Sequence, residues 1–389
     1  MAHWIGKATN IEELRALARK RLPRSFFEFL DRGTEDEVAL ENNRAALQRI
    51  KLNARALVDV TKRSQQIELF GKRQEMPVII SPTGVAGLLW YDGEVALARA
   101  AAAAGIPFSL ATTSVAALEE IAERAGGRLW YQVYMWPERK LSYEMIDRAR
   151  AAGCEALILT VDGAVSPNRE YNVRNGYTAP FRFTTRNVAD VLMHPRWMLG
   201  TLGRYVVNGG MPEFKNYPKE VREKVTSRKI ERRTLINNPS LNWEDVKELR
   251  RAWQGPLIIK GIMNALDARL AVSHGADAVL VSNHGGRNLD AAPAPIEVLP
   301  EIADAIGGTV PVLVDSGFRR GSDVIKALAL GASAVLIGRG TLYGTAAAGE
   351  PGAHRALQIY RTEIDRVMGL MGCCSLSELG AHSVRTARS

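Results

Sequence analysis

The chain has 389 residues, of which 46% are hydrophobic and 24% charged, values close to the soluble globular average that exclude a disordered, collagen-like or coiled-coil protein. At roughly 100 to 200 residues per domain the length allows one large domain or two to three small ones. Basic residues outnumber acidic ones by 51 to 42, a net charge of +9, so an anionic partner such as nucleic acid, a membrane surface or an acidic substrate has to be sought where that charge sits. Cys154, Cys373 and Cys374 are too few for a disulfide framework, and the adjacent pair is too close for an ordinary bridge or a zinc site. A reducing, cytoplasmic compartment and no metal are expected. The N-terminal run MAHWIGKATNIEELRALARKRLP has no apolar stretch of signal-peptide length, and no window approaches the ~20 apolar residues of a membrane span.

In chain order, Ile11, Leu14 and Leu17 recur at helical spacing, with Glu12 and Glu13 early and Arg19, Lys20 and Arg21 late, the charge order a helix dipole favours. Asn10 is a suitable N-cap, and the pattern predicts a helix over 10–30. After a polar stretch, eight short apolar runs follow, at 78–81, 107–111, 129–133, 156–161, 257–260, 278–282, 310–314 and 334–337. They are apolar throughout rather than alternating, as parallel strands covered on both faces are. Ala-rich helical segments lie between most of them, as at 94–104, 145–152, 265–274 and 323–330. Four share one entry, AAAAGIPFSL, ARAAGCEALIL, AVSHGADAVLV and ALALGASAVLI, in which a glycine ends the helix and a strand follows at once.

This alternation predicts a (β/α)8 TIM barrel within one domain over 1–389. The expected divisions are an N-terminal helical extension over 1–75, the barrel over 76–350, an insertion over 177–240 and a C-terminal helix and tail over 351–389. A doubly wound sheet is the alternative. It lacks a G-x-G-x-x-G after the first strand, and no G-x-x-x-x-G-K-[ST] occurs anywhere.

The fourth run ends near Asp162 and the fifth begins near Leu257, so an insertion separates them. Residues 182–233 hold 12 Lys or Arg against 5 Asp or Glu, which places +7 of the +9 in this segment. It also carries Val188, Val191, Leu192, Met193, Trp197, Met198, Leu199, Leu202, Tyr205, Val206 and Val207. Apolar and aromatic residues beside a basic cluster suit an interfacial element for an anionic membrane. A solvated loop with a few core anchors, or a subunit contact, is the alternative. Nucleic acid is not expected, because the aromatic and basic interleaving that single strands need is missing.

In such a barrel, reacting groups project from the carboxyl ends of the strands. Glycine-rich turns with arginines, Gly317/Arg319 and Gly338/Arg339, fall after the seventh and eighth runs, where barrels commonly bind phosphate; plain tight turns would look the same. Lys260 would carry a cation into the barrel mouth, which calls for an anionic or electron-rich neighbour. His284, followed by two glycines, is placed as a general base, although a histidine at a strand end is often structural. Asp162 could raise its basicity, and Arg169 and Arg287 offer two forks for a carboxylate.

At SNHGGRNLD (282–290) and VDSGFRRGSDVIKALALGASAVLIGRG (314–340), with LPRSFFEFLDRGTEDE and GCEALILTVD in support, the chain resembles the FMN-dependent L-2-hydroxy acid oxidase and dehydrogenase family over essentially its whole length. The segment TVDGAVSPNREYNVRNGY and the basic insertion with HPRW look most like its (S)-mandelate dehydrogenase branch. The resemblance implies FMN, with His284 as base and Asp162 as its partner. Arg169 and Arg287 would hold the substrate carboxylate, and Tyr134 the substrate hydroxyl or developing charge. Pro82, Thr83 and Gly84 would lie near the flavin N5, Gln132 and Thr160 on the ring, Lys260 at N1 and C2=O, and Ser282 on the ribityl side. Asp315, Gly317, Arg319, Gly338 and Arg339 would take the ribityl and phosphate groups.

The implied reaction is oxidation of an aromatic, mandelate-like L-2-hydroxy acid to the 2-oxo acid. Electrons would pass to a quinone-type acceptor, from a homo-oligomer, often a tetramer, peripheral on the cytoplasmic face of the inner membrane through 182–233. The alternatives are a soluble lactate or 2-hydroxy acid oxidase using O2, a non-redox FMN barrel enzyme, and a catalytically silent basic scaffold. Two positions depart from the family pattern. Phe27 replaces a tyrosine expected at the substrate carboxylate, and Ala111 replaces a serine expected near the flavin.

Overall fold

The computed structural model describes residues 5–176, 184–222, 224–225 and 237–386. Helix α1, Ile11–Arg21, starts where Asn10 accepts a hydrogen bond from the Glu13 N–H, and it carries Glu12 and Glu13 in its first turn and three basic residues in its last. The single helix expected over 10–30 is two helices. Leu22 is extended at φ −85°, ψ 139°, as the residue before a proline prefers, and α2, Arg24–Asp31, starts after Pro23. Proline cannot supply the N–H that a continuous helix would need there.

All eight apolar runs are strands: β1 Val78–Ile80, β2 Phe108–Ala111, β3 Leu129–Val133, β4 Ala156–Thr160, β5 Leu257–Ile262, β6 Ala278–Val281, β7 Val312–Val314 and β8 Ala334–Ile337. They form a closed barrel in sequence order, sealed by parallel pairing of β8 with β1, Val335 opposite Val78 and Ile337 opposite Ile80. The period of two hidden in the apolar runs now has a meaning. Ile79, Ile158, Ile258, Leu280, Leu313 and Leu336 pack with Trp130 in the barrel interior. Their neighbours Val78, Ile80, Leu157, Leu159, Val279 and Val281 belong to the larger core shared with the outer helices. A hairpin of Ile67–Leu69 and Lys72–Gln74 inserts Leu69 and Phe70 under Trp130, with the Phe70 and Trp130 rings 5.8 Å apart. The floor is thereby plugged. After β1 the chain passes through a short helix α3, Ala86–Leu89, into α4, Gly93–Ala104.

Where described, the insertion is largely helical rather than a plain solvated loop. It comprises α5, Thr185–Leu192, a turn at Pro195–Trp197, a π-helical stretch Met198–Gly203 and α6, Arg204–Val207. Residues 182–183, 223 and 226–233 of the expected basic segment lie outside the described residues. The segment is pinned to the N-terminal helices. Asp190 Oδ2 accepts from the Arg24 N–H at 2.6 Å, and Arg21 donates to Thr201 Oγ1 at 2.9 Å. Trp197 is buried against Phe26, ring centroids 4.4 Å apart, and donates to the Leu88 carbonyl at 2.8 Å. The apolar residues of the segment therefore divide into two sets. Trp197, Val191, Met198 and Leu202 face the protein, whereas Val188, Leu192, Met193, Leu199, Val206 and Val207 are exposed, Val207 by 83%. Among the described residues no helix is long and apolar enough to cross a membrane.

Helix α7, Arg339–Ala348, and the long α8, Glu350–Met371, meet at two glycines. A Cβ on Gly344 would lie 2.2 Å from the Gly352 carbonyl oxygen, so the approach is made of backbone on both sides. Gly344→Ala is expected to cost about 1–3 kcal/mol of stability as overpacking, read as a lowered midpoint of urea unfolding. An unchanged midpoint would mean that the two helices part freely at this crossing.

Candidate active site

The carboxyl ends of the strands open into a cleft of about 670 Å³. Its lining brings together Pro82, Thr83 and Gly84 after β1, Gln132 on β3 and Tyr134 just after it, Thr160 from β4, Arg169 beyond it and Lys260 on β5. His284 and Arg287 follow from the loop after β6, Asp315, Gly317 and Arg319 from that after β7, and Gly338 and Arg339 from the cap and first residue of α7 after β8. Of the site residues expected from the sequence, Asp162 and Ser282 lie behind this wall, each in contact with a residue on it.

His284 has φ 58°, a left-handed conformation that costs a non-glycine residue energy and is held here by its contacts. Its N–H donates to Ser282 Oγ at 3.1 Å. Its Nδ1 lies 3.1 and 3.2 Å from the two Asp162 carboxylate oxygens. Facing an acceptor, Nδ1 carries the proton, which leaves Nε2 as the basic nitrogen. Burial pushes the imidazole below its usual pKa, with Asp162 opposing and Lys260 and Arg169 adding to the fall. Burial also works against the Asp162 charge, yet His284 and Lys260 hold that carboxyl below the usual carboxylate range. Asp162 can stand this close because the neighbouring position on β5 is Gly261, at φ 106°. A Cβ there would sit 2.7 Å from Asp162 Cβ, and the strand register shifts between Lys260 and Ile262.

Lys260 is 4% exposed. Its ammonium donates to Ser282 Oγ at 2.8 Å and lies 3.6 Å from Asp315 Oδ2. Burial opposes this charge, but Asp315 and Asp162 raise its pKa above the usual lysine value. The arginines are held by carbonyls instead of carboxylates. Arg287 donates to the main-chain oxygens of Phe29 and Arg32 at 2.7 and 3.1 Å, and Arg339 to those of Leu30, Gly285 and Arg32 at 2.8–3.0 Å. Arg169 donates to the Arg287 carbonyl at 3.2 Å. Burial and the Arg287 charge push Arg169 and Arg339 down to about 10, so both remain cations at neutral pH. Arg319 lies 5.5 Å over the Tyr343 ring. Tyr134 is pushed up by burial and by Asp162 and keeps its hydroxyl proton.

Five cations therefore line a cleft whose carboxylates are Asp315 on the wall and Asp162 behind it. A surplus of three buried positive charges is costly unless anions fill it. A phosphate monoester carries roughly −1.5 to −2, and a carboxylate supplies the remainder. FMN fits this donor set: its phosphate would meet Arg319 and Arg339 beside Gly317 and Gly338, and Lys260 would face its ring.

Fold and site together define an FMN-dependent 2-hydroxy acid oxidoreductase. The model of the FMN-dependent dehydrogenase family matches residues 18–386, and the chain belongs to that family. An (S)-mandelate dehydrogenase of Pseudomonas putida is 42% identical over 372 residues, 95% of this chain and 92% of its own. A putative L-lactate dehydrogenase of Mycobacterium tuberculosis is 38% identical over 385 residues, 99% of this chain and 91% of its own. A crystal structure described as the monotopic membrane protein (S)-mandelate dehydrogenase superposes with a TM-score of 0.92 at 41% identity, covering 98% of this chain and all of the other.

One expected position moves. Phe27 does not line the cleft; it is buried beneath Arg15 and Arg19, each 5.9 Å from its ring. Phe29 lines the cleft instead, its ring 4.9 Å from the Arg287 guanidinium. Two residues along a helix turn a side chain by roughly 200°, which separates the two. The missing hydroxyl is thus at 29, still on a phenylalanine. Ala111 does line the cleft. Sequence reading also passed over Asn288, which donates to the Asp162 carbonyl at 2.8 Å, and Ser316, whose hydroxyl accepts from the Gly285 N–H at 2.9 Å. Phe214, Tyr217 and Val225 of the insertion line the cleft as well; no spacing in the sequence signals them.

Removal of FMN is expected to lower the thermal unfolding midpoint, and inorganic phosphate to restore part of it, because the surplus cations lose their counter-charge. Equal midpoints for the stripped and loaded protein would show that the arginines are neutralised in another way.

Proposed function

We propose that this enzyme oxidises an aromatic L-2-hydroxy acid, of the mandelate type, to the 2-oxo acid, with His284 as the base. The observation that carries the reading is the His284–Asp162 pair, with Nε2 free among the described residues and facing the same cleft as the Arg169 and Arg287 forks. The two guanidiniums would clamp the substrate carboxylate. That contact fixes the Cα–H and hydroxyl against Nε2 and pairs two cations that otherwise repel. The Tyr134 phenol would donate to the substrate oxygen. His284, neutral at the outset, takes the proton at Nε2, and Asp162 stabilises the resulting imidazolium. Bound FMN supplies the two-electron acceptor. Pro82, Thr83, Gly84, Gln132, Thr160, Lys260 and Ser282 would serve its ring and ribityl side, and Asp315, Gly317, Arg319, Gly338 and Arg339 its ribityl and phosphate groups.

The aromatic preference is supported by an apolar wall. Phe29, Val85, Phe214 and Val225 belong to one cluster and all line the cleft, more apolar surface than the methyl group of lactate could cover. For the acceptor, the exposed apolar face of the basic insertion supports peripheral attachment to an anionic membrane, on its cytoplasmic face, with electrons passed to a quinone. The likeness to a monotopic membrane protein supports the same reading.

The test is an anaerobic visible spectrum of the loaded protein. Addition of S-mandelate is expected to bleach the flavin bands faster than L-lactate does, and air to restore them slowly. Faster bleaching by lactate would overturn the substrate, and rapid recovery in air would make the enzyme an oxidase. His284→Ala should keep its yellow colour while reduction slows by at least ~10²-fold; loss of colour would make His284 chiefly structural. In the wild type the reduction rate should rise with pH through a pKa below the usual histidine value of about 6.5, since burial lowers the imidazole and only the neutral form accepts a proton.

A further inference from the structure

A second, smaller cavity lies where the insertion meets the barrel. It has a volume of about 230 Å³ and is lined by Trp90, Tyr91, Arg99, Arg124, Arg204 and Glu350 among others. Its three arginines are not equivalent. Arg99 lies 3.6 Å from Glu350, and Arg124 pairs with Asp92 at 2.7 Å and Glu120 at 2.5 Å. Arg204 has no carboxylate within ion-pair distance among the described residues. Its guanidinium rests 4.2 Å over the Tyr91 ring, and that ring packs on Tyr205 at 4.8 Å. Stacking fixes the plane of the fork without neutralising it. Asp92 and Glu120 hold Arg124 and Glu350 holds Arg99, so the one guanidinium of the pocket left without a carboxylate among the described residues is that of Arg204.

Position gives this charge a meaning. Arg204 opens α6, whose last two residues, Val206 and Val207, are 58% and 83% exposed, with Leu199 exposed by 66% one turn earlier. Apolar side chains that enter the acyl region would put a guanidinium three residues away at headgroup depth, and Trp90 and Tyr91 beside it are residue types that favour the interface. We infer that the cavity between α4 and α6 holds the phosphodiester of an anionic phospholipid, gripped by the Arg204 fork against Tyr91. The inference rests on the membrane reading above and names the lipid group that the insertion engages. A phosphodiester carries a single negative charge, which would supply Arg204 with the anionic partner that it lacks among the described residues.

The experiment is co-sedimentation of the FMN-loaded full chain with vesicles of phosphatidylcholine alone or mixed equally with phosphatidylglycerol. Wild type is expected to bind the mixed vesicles more tightly. Arg204→Gln should weaken that binding by about fivefold, the equivalent of ~1 kcal/mol per basic residue at an anionic surface, without changing binding to phosphatidylcholine or the rate of flavin reduction. Arg204→Lys, which keeps the charge and loses the fork, should recover only part of the difference. Equal binding of wild type and Arg204→Gln, or full recovery by Arg204→Lys, overturns the pocket and leaves the membrane reading standing. If wild type binds neither vesicle, the membrane reading falls and this one with it. Competition by millimolar inorganic phosphate would assign the cavity to a soluble anion and overturn it as a headgroup site.

Discussion

A surplus of buried positive charge at the mouth of the barrel is the constraint to which the rest of the structure answers. Lys260 and four arginines converge there, and in a medium that screens poorly each would be expelled or neutralised without help. The help comes in three forms. Asp162 and Asp315 take part of the charge, main-chain carbonyls hold Arg287 and Arg339, and an anionic cofactor and substrate would take the remainder. The carbonyls are the unusual element, since they orient a guanidinium without cancelling it. A carboxylate partner would have quenched the field that attracts the ligand.

The same field sets the acid–base chemistry. Burial lowers the His284 imidazole, with Lys260 and Arg169 adding to the fall against Asp162, and His284 and Lys260 keep Asp162 charged against its own burial. In the proposed reaction a neutral base beside an ionised partner is the state from which proton removal would start, and the neighbouring cations that would bind anions help to maintain it. Backbone geometry makes the arrangement possible. The register shift on β5 puts Gly261 where any side chain would collide with Asp162, and the left-handed turn at His284 aims the ring from a loop fastened to Ser282. Charge and backbone are thus coupled through a handful of residues spread over three strands.

The barrel was legible because all eight strands are apolar on both faces and bounded by Gly, Pro or polar residues, a pattern that survives without any knowledge of pairing. The convergence of residues at the strand ends was legible for the same reason: barrel topology gathers carboxyl ends that lie far apart in sequence. What failed was rotation and reach. The periodicity around Leu17 gave no warning that Leu22 and Pro23 would reset the helix, and a motif match could not say whether 27 or 29 faces inward. Phe214 and Val225 escaped because their role depends on an insertion folding back over the cleft, which neither composition nor spacing encodes. The gap between strands found that insertion and charge counting showed it to be basic, yet neither could separate Trp197, which anchors it, from Val207, which faces outward.

The carbonyls of Phe29, Leu30 and Arg32 clamp Arg287 and Arg339, partners 255 to 309 residues away in the chain. The N-terminal extension is made first, yet the clamp on its last turn is complete only when Arg339, at the start of α7, joins Arg287 from the loop after β6. A barrel that has closed its sheet but not yet received α2 would hold two mobile guanidiniums and an open mouth. The mouth of the barrel is therefore closed by contacts that join the two ends of the sequence.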